Sequence, residues 1–445
     1  MNTPGYIVIS YFSVVVGIGI FSWFKVKTPD DYYIAGKKAR FLPVTGSLLA
    51  TILGGSAILG TIELSQSIGW AALWFLFCAS LGLFLLAPLT KYVSRFGKYT
   101  LPGLLGYFFG EKARIISSLI IPVAWLGIVA AQIIAAAQIL SGLELISYRG
   151  AAVTAGAIFI LYTLAGGQVS ILKTDLFQAI LIIAGLTATT LFALQSDTAK
   201  MMPSLQAHSL FNESFNLVDL IVLIMTYSVT FVVGPDIYSR IFCAKSEKTA
   251  TYSILFVATM LIPISFLLTF LGVFSSQTEG MEIIAFVRNL LPDWFYGLFI
   301  AALLSAVMSS ADTTLLTSSV ILSELLHKNL TGEKSWMHTR WIILVLGGLS
   351  VIIALFITSI LQSMLLALTF FSGAFVMPMI AGLLQLKVIK PQVTAAIVSG
   401  GIVALSGKIL NLAGHTQAGN LIIILSFAVN GLLLFIPIFQ SIRKR

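Results

Sequence analysis

Asp312 lies in a segment, Leu303–Ser319 (LLSAVMSSADTTLLTSS), that is otherwise apolar enough to span a bilayer. Ser309, Ser310, Thr313 and Thr314 fall within one helical turn of it. A charge at that depth costs about 2.5–3.5 kcal/mol on insertion scales, so it normally faces a cavity, a partner or an ion. Hydroxyls at i−3 and i+1 share its helical face. Such a nest offers only oxygen, the donor that hard cations prefer. Ser and Thr alone also make helix–helix hydrogen bonds in membranes, and the carboxylate is what tilts the segment towards function.

Two further runs carry chemistry. Gly46–Gly60 (GSLLATILGGSAILG) sets Gly54, Gly55 and Ser56 near mid-membrane. Paired glycines there allow close packing, the commoner reading, or a broken helix. A break is tolerated at depth only where the freed carbonyls line a cavity or bind something, as they bind coupling ions in secondary transporters. Ala165–Gln178 (AGGQVSILKTDLFQ) holds a Gly166–Gly167 turn, Lys173 as a cytoplasmic anchor, and Thr174–Asp175. Taken alone, Thr174–Asp175 reads as the cap of the next helix.

The elements that must position these runs are membrane helices. The 445 residues are 58% hydrophobic and 10% charged, against about 25% charged in soluble domains. Spans of about 20 residues are expected at 6–24, 42–65, 69–90, 115–140, 150–166, 175–194, 217–234, 250–274, 294–322, 340–360, 364–386, 391–411 and 420–440. That makes one integral domain over 1–445 with thirteen crossings. The first span lacks a basic leader and an A-x-A site and reads as retained. Two connections are longer, 196–216 and 275–293, the second containing an amphipathic piece, MEIIAFVRNLL, expected to lie along the surface. With the N-terminus outside and the C-terminus cytoplasmic, 26 basic residues minus Arg149, Lys200, Arg288 and Lys408 fall on the cytoplasmic side. That bias explains the net charge of +9 without nucleic acid.

Rival classes have less support. The oxygen nest is asymmetric and no pore-loop repeat is visible, against a channel. His208, His327, His338 and His415 fall in loops or at helix ends, against an embedded enzyme. Cys78 and Cys243 suggest neither a disulfide framework nor a metal site. After Gln440 only SIRKR follows, which gives a transporter-like sensor no signalling domain.

Four runs in order resemble the sodium:solute symporter family, which includes sodium-coupled sugar, proline, pantothenate and sialic acid carriers. They are DYYIAGKKARFLPVTGSLLAT, GGQVSILKTDLFQ, DIYSRIFCAKSEKTA, and ALLSAVMSSADTTLL followed by SELLHKNL, covering about residues 30–330. The resemblance implies an all-α, LeuT-like fold of two inverted five-helix repeats, 42–194 and 217–386, with 6–24 and 391–440 as accessory helices. It implies a main sodium site from carbonyls of Ala50, Leu53 and Ala306 and hydroxyls of Ser309 and Ser310. A second site in some members maps to Asp175, Ser309, Asp312 and Thr313. Those members carry serine where this chain has Asp312, which leaves either a second cation or a proton there, with one sodium as the default. The solute cavity is expected from Ile52, Ser56, Ala57, Trp74, Gln132, Thr226, Tyr227, Thr230, Phe371 and Ser372. None of these is basic, which leaves a dianion without a fixed partner. Nor do they hold a dense set of Asn, Gln and Glu for a sugar's hydroxyls. A small solute with one carboxylate and an apolar body, such as an amino acid or monocarboxylate, fits best. Glu63 and Gln66 read as vestibule or interfacial groups. Sodium is the implied coupling ion, with no cofactor, and the protein is expected to work as a monomer in the bilayer.

Overall fold

The computed structural model describes residues 3–24, 26–96, 99–143, 146–196, 210–276, 283–327, 330, 335–357 and 359–442. Lys98, Lys200, Met281, Glu282, Lys328, Lys334, His208 and 443–445, all used in the sequence reading, lie outside them. The described chain is helical throughout. Its elements are α1 (Thr3–Trp23), α2 (Pro29–Ile34), α3 (Phe41–Ile52), α4 (Gly55–Ile68), α5 (Leu73–Leu86), α6 (Thr90–Phe96) and α7 (Leu101–Phe109). There follow α8 (Glu111–Gly142), α9 (Tyr148–Gln195), α10 (Leu217–Leu223), α11 (Val229–Val233), α12 (Pro235–Cys243) and α13 (Glu247–Ser276). The last are α14 (Ile283–Leu290), α15 (Asp293–Leu326), α16 (Ser335–Phe356), α17 (Ile360–Leu383), α18 (Lys390–Leu412) and α19 (Thr416–Ile442).

Among the described residues, 10 helical runs are long and apolar enough to cross a membrane. Three shorter apolar helices, Thr3–Gly19, Phe41–Ile52 and Tyr148–Leu164, fall where spans were expected. Lengths alone therefore do not establish thirteen crossings. The amphipathic piece is helical as α14, and it buries Ile283, Ile284, Phe286 and Val287 against the bundle.

Burial sorts the helices into a centre and a shell. The apolar window of α15 is 83% buried, the highest of the 10, and α15 packs against α1, α3, α4, α8, α9, α12 and α16. Its inward faces carry Ser305, Ser309, Ser310, Thr313, Thr314, Ser318 and Ser319, all buried. Large apolar side chains such as Leu161, Val345 and Leu432 instead point outward, where lipid rather than water is their solvent.

Three helix interruptions shape the centre. Between α3 and α4, Leu53 (φ −81°, ψ 41°) and Gly54 (φ −60°, ψ 167°) leave the helical region. These angles do not require glycine; crowding does. A Cβ on Gly54 would sit 2.2 Å from Ser310 Oγ, and one on Gly55 2.1 Å from Val307 Cγ2. The glycine pair thus serves both readings at once, close packing against α15 and a broken helix. The second interruption follows a π-helical turn at Ile224–Ser228, a feature frequent at functional sites. There Gly234 (ψ 125°) separates α11 from α12, and Pro235 starts α12 at a position whose N–H is not needed.

The third interruption corrects an expectation. The 150–166 and 175–194 spans are not joined by a cap at Thr174–Asp175. α9 runs on past Gly167, which takes φ 53°, ψ −166° and kinks it. Asp175 therefore sits two turns inside a membrane helix, fully buried. The span expected at 217–234 likewise extends to Cys243, so it encloses Asp236 and Arg240. Near the start of α3 and the end of α12 the chain pairs with itself. Ala39 N–H donates to Cys243 O at 3.1 Å and Lys245 N–H to Ala39 O at 2.8 Å.

Candidate functional site

The break at Leu53–Gly54 frees backbone oxygens. Leu53 N–H still reaches Leu49 O at 2.9 Å, but Ala57 N–H turns to Gly54 O (2.9 Å) and Ser56 N–H to Gln132 Oε1 (3.4 Å). The last carbonyls of α3, those of Ala50 and Leu53 among them, thus end at the interruption, where a helix terminus leaves them without regular partners. Ser310 Oγ crosses from α15 and donates to Thr51 O at 2.6 Å. One residue earlier, Ser309 Oγ donates to Asp175 Oδ1 at 2.5 Å. A hydroxyl whose proton is already donated presents its lone pairs elsewhere, as a cation ligand must. Ser310 therefore meets the broken end of α3, which carries Ala50 and Leu53, while the neighbouring Ser309 is turned to Asp175 of α9.

Beside this junction lies a charged hub, which joins the expected Asp175, Thr313 and Asp312 to an arginine not selected from the sequence. Arg240, counted above as a cytoplasmic loop residue, is instead fully buried within the Leu217–Cys243 helical run. Its Nε donates to Ser47 Oγ at 2.9 Å and its Nη1 to Ser239 Oγ at 2.9 Å. Its Nη2 donates to Asp175 Oδ2 at 3.1 Å, to Thr51 Oγ1 at 3.2 Å and to Thr313 Oγ1. Ser47 Oγ also donates to Asp175 Oδ2. Asp175 and Thr313, expected around a second cation, are thus joined by a guanidinium. Asp312 stands at the edge of the hub. Thr313 Oγ1 comes within 3.5 Å of its Oδ1, and its buried Oδ2 has no hydrogen-bond partner. The signal for Arg240 lies in its setting, an amphipathic helical stretch, PDIYSRIFC, that continues the span nine residues past Gly234 with Asp236 one turn before Arg240.

A cavity of about 70 Å³ touches the first two interruptions. Ile52, Ser56, Ala57, Gln132, Tyr227 and Thr230 line it together with Thr51, Ser310 and Thr314. Tyr227 is held by stacking on Phe75, with centroids 4.2 Å apart. Four of the expected cavity residues lie elsewhere. Trp74 donates Nε1 to Leu210 O at 3.0 Å, and Thr226 lines a neighbouring pocket of about 310 Å³. Phe371 packs behind Trp125 with ring centroids 4.6 Å apart, and Ser372 Oγ donates to Thr369 O at 3.0 Å. Trp125 and Asp236, which the sequence reading did not select, do line the cavity. Glu63 and Gln66 line a separate pocket of about 270 Å³.

The chain is similar to the sodium/proline symporter of Haemophilus influenzae, 25% identical over 377 residues, covering 76% of this chain and 74% of the relative. It is similar to the sodium/glucose cotransporter of Vibrio parahaemolyticus, 22% identical over 409 residues, covering 80% and 74%. Among solved structures, a sodium-coupled sialic acid symporter in a substrate-bound outward-open state matches with a TM-score of 0.78 at 16% identity, over 97% of each chain. A nucleobase-cation-symport-1 family transporter matches with a TM-score of 0.60 at 15% identity, over 93% of this chain and 94% of that one. The fold is the LeuT-like one these transporters share. With the family profile matching residues 32–403, the chain belongs to the sodium:solute symporter family.

Proposed function

We propose that this multi-pass membrane protein takes up a small organic solute, an amino acid or monocarboxylate, by alternating access driven by one sodium ion. The observation that carries the reading is the meeting of Ser310 with the broken end of α3 beside the cavity, with Ser309 next to it on Asp175. In this reading sodium is held by Ala50, Leu53 and Ala306 carbonyls and the Ser309 and Ser310 hydroxyls. Bound there, it couples α3 to α15, so that ion and solute stabilise one another's closed state. The proline-carrying relatives support an amino acid.

The single-ion stoichiometry rests on Arg240. Its guanidinium already donates to Asp175 and Thr313, supplying a fixed positive charge where a second cation would bind. A proton at Asp312 is the competing reading, favoured by the unpartnered Oδ2. The basic-residue bias supports an external N-terminus and a cytoplasmic C-terminus. Cysteines at Lys37 and His415 should then label from the cytoplasmic and external faces respectively, and labelling from one same face contradicts that orientation.

A thermal-shift screen of small solutes on the purified protein, in sodium and in potassium, tests the function. At least one amino acid or monocarboxylate should raise the melting temperature in sodium and lose most of that effect in potassium. Equal stabilisation in both salts contradicts sodium coupling.

A further inference from the structure

Three hydroxyls in the cavity wall have already spent their protons. Ser310 and Thr314 spend their hydroxyl protons on Thr51 O (2.6 Å) and Ser310 O (2.5 Å), and Thr230 spends its proton on Thr226 O (2.5 Å). Thr51 Oγ1 receives Arg240 Nη2. What these side chains turn to a guest is therefore lone pairs. To them the wall adds one carboxylate, Asp236, and no lysine, arginine or histidine. Arg240 stands one turn further along α12 but is committed to Asp175 and the surrounding hydroxyls.

Asp236 is placed by the Gly234–Pro235 interruption, in the first turn of α12. The N–H groups of that turn lack helical partners. A helix N-terminus favours an ionised carboxylate. First-turn N–H groups would fill only part of its acceptor capacity, about four lone pairs. Trp125, Tyr227 and Phe231 add aromatic rings to the same cavity, and ring faces attract a cation. The donors left over are the Ser56 and Tyr227 hydroxyls, the second Nε2 hydrogen of Gln132, which gives its first to Ser56 Oγ at 2.7 Å, and Trp125 Nε1. Trp125 Nε1 is buried without a partner in the structure, although the residue is 1% exposed. A buried donor of that kind costs stability unless a guest completes it.

We propose that the cavity selects a solute bearing a protonated amine, neutralised by Asp236, with Trp125 Nε1 donating to an acceptor at the solute's other end. The proposal rests on the symport reading and narrows it. Amino acids and small amines qualify, while amine-free monocarboxylates and sugars do not. Size follows from the apolar remainder of the wall, where Ile52, Ile128, Met364 and Leu368 leave room for a short aliphatic body.

The test uses matched pairs on the purified full chain in sodium chloride. The pairs are L-alanine against L-lactate, L-valine against 2-hydroxyisovalerate, and L-proline against cyclopentanecarboxylate, with D-glucose alongside. The amine member of at least one pair should stabilise the protein at concentrations at least tenfold lower than its partner. Asp236→Asn should raise that concentration tenfold or more, Asp236→Glu should recover part of it, and the shift produced by sodium alone should persist in both. Three results overturn the proposal: an amine-free member or glucose acting as well as the amines, no amine acting while sodium alone does, or Asp236→Asn leaving amine affinity unchanged. Should Asp236→Asn fail to fold, the wild-type pairs decide alone. Absence of any sodium effect on the wild type instead strikes the symport reading.

Discussion

Arg240 is a full charge with no access to water, and such a group is tolerated only when paired and hydrogen-bonded. Removing one partner should cost more than removing both, since a lone buried charge is left behind. Arg240→Ala is expected to destabilise by about 3–5 kcal/mol. Adding Asp175→Asn should restore part of that loss in thermal melts of the purified protein, and a further loss in the double variant contradicts the pairing. Asp312 follows from the same count of charges. Asp175 pairs with the guanidinium, and Asp312 adds a second buried carboxylate at the hub's edge; with Asp312 ionised, a sodium at Ser309 and Ser310 would neutralise the extra negative charge. Asp312→Asn should then raise half-saturating sodium about tenfold, equivalent to about 1.4 kcal/mol. Unchanged sodium dependence with a flattened pH profile would instead assign Asp312 a proton.

At the scale of elements, the breaks were only partly legible. Gly54–Gly55 marked the right place, but periodicity cannot distinguish packing from interruption, and here the same two residues do both. Thr174–Asp175 looked like a cap because Gly166–Gly167 suggested a turn. The chain absorbs Gly167 as a kink within α9, which carries Asp175 into the core. Arg240 was hidden because arginine near a predicted span end reads as a loop anchor. Trp125 and Asp236 escaped notice because helix rotation about the cavity is set by packing, which also turned Trp74, Thr226, Phe371 and Ser372 away. Gly54→Ala tests the crowding directly. Its methyl would displace Ser310 Oγ and should weaken sodium binding, whereas Gly348→Ala, with nothing within 4 Å, should not. Equal sodium binding in both variants contradicts a tight α3–α15 junction.

The whole molecule gathers hydroxyls, Asp175, Asp312 and Arg240 around α15 inside an otherwise apolar core, and turns further large apolar side chains to the rim. The composition alone announced a membrane protein, and four sequence runs announced the family. The account's central claim is narrower: sodium binds where α15 meets the broken α3. Equilibrium binding of radioactive sodium-22 to the purified protein tests it without knowledge of the solute. Saturable binding to the wild type should weaken about tenfold or more in both Ser309→Ala and Ser310→Ala, equivalent to about 1.4 kcal/mol each, and should survive in Asp236→Asn. Wild-type affinity in both serine variants would contradict it.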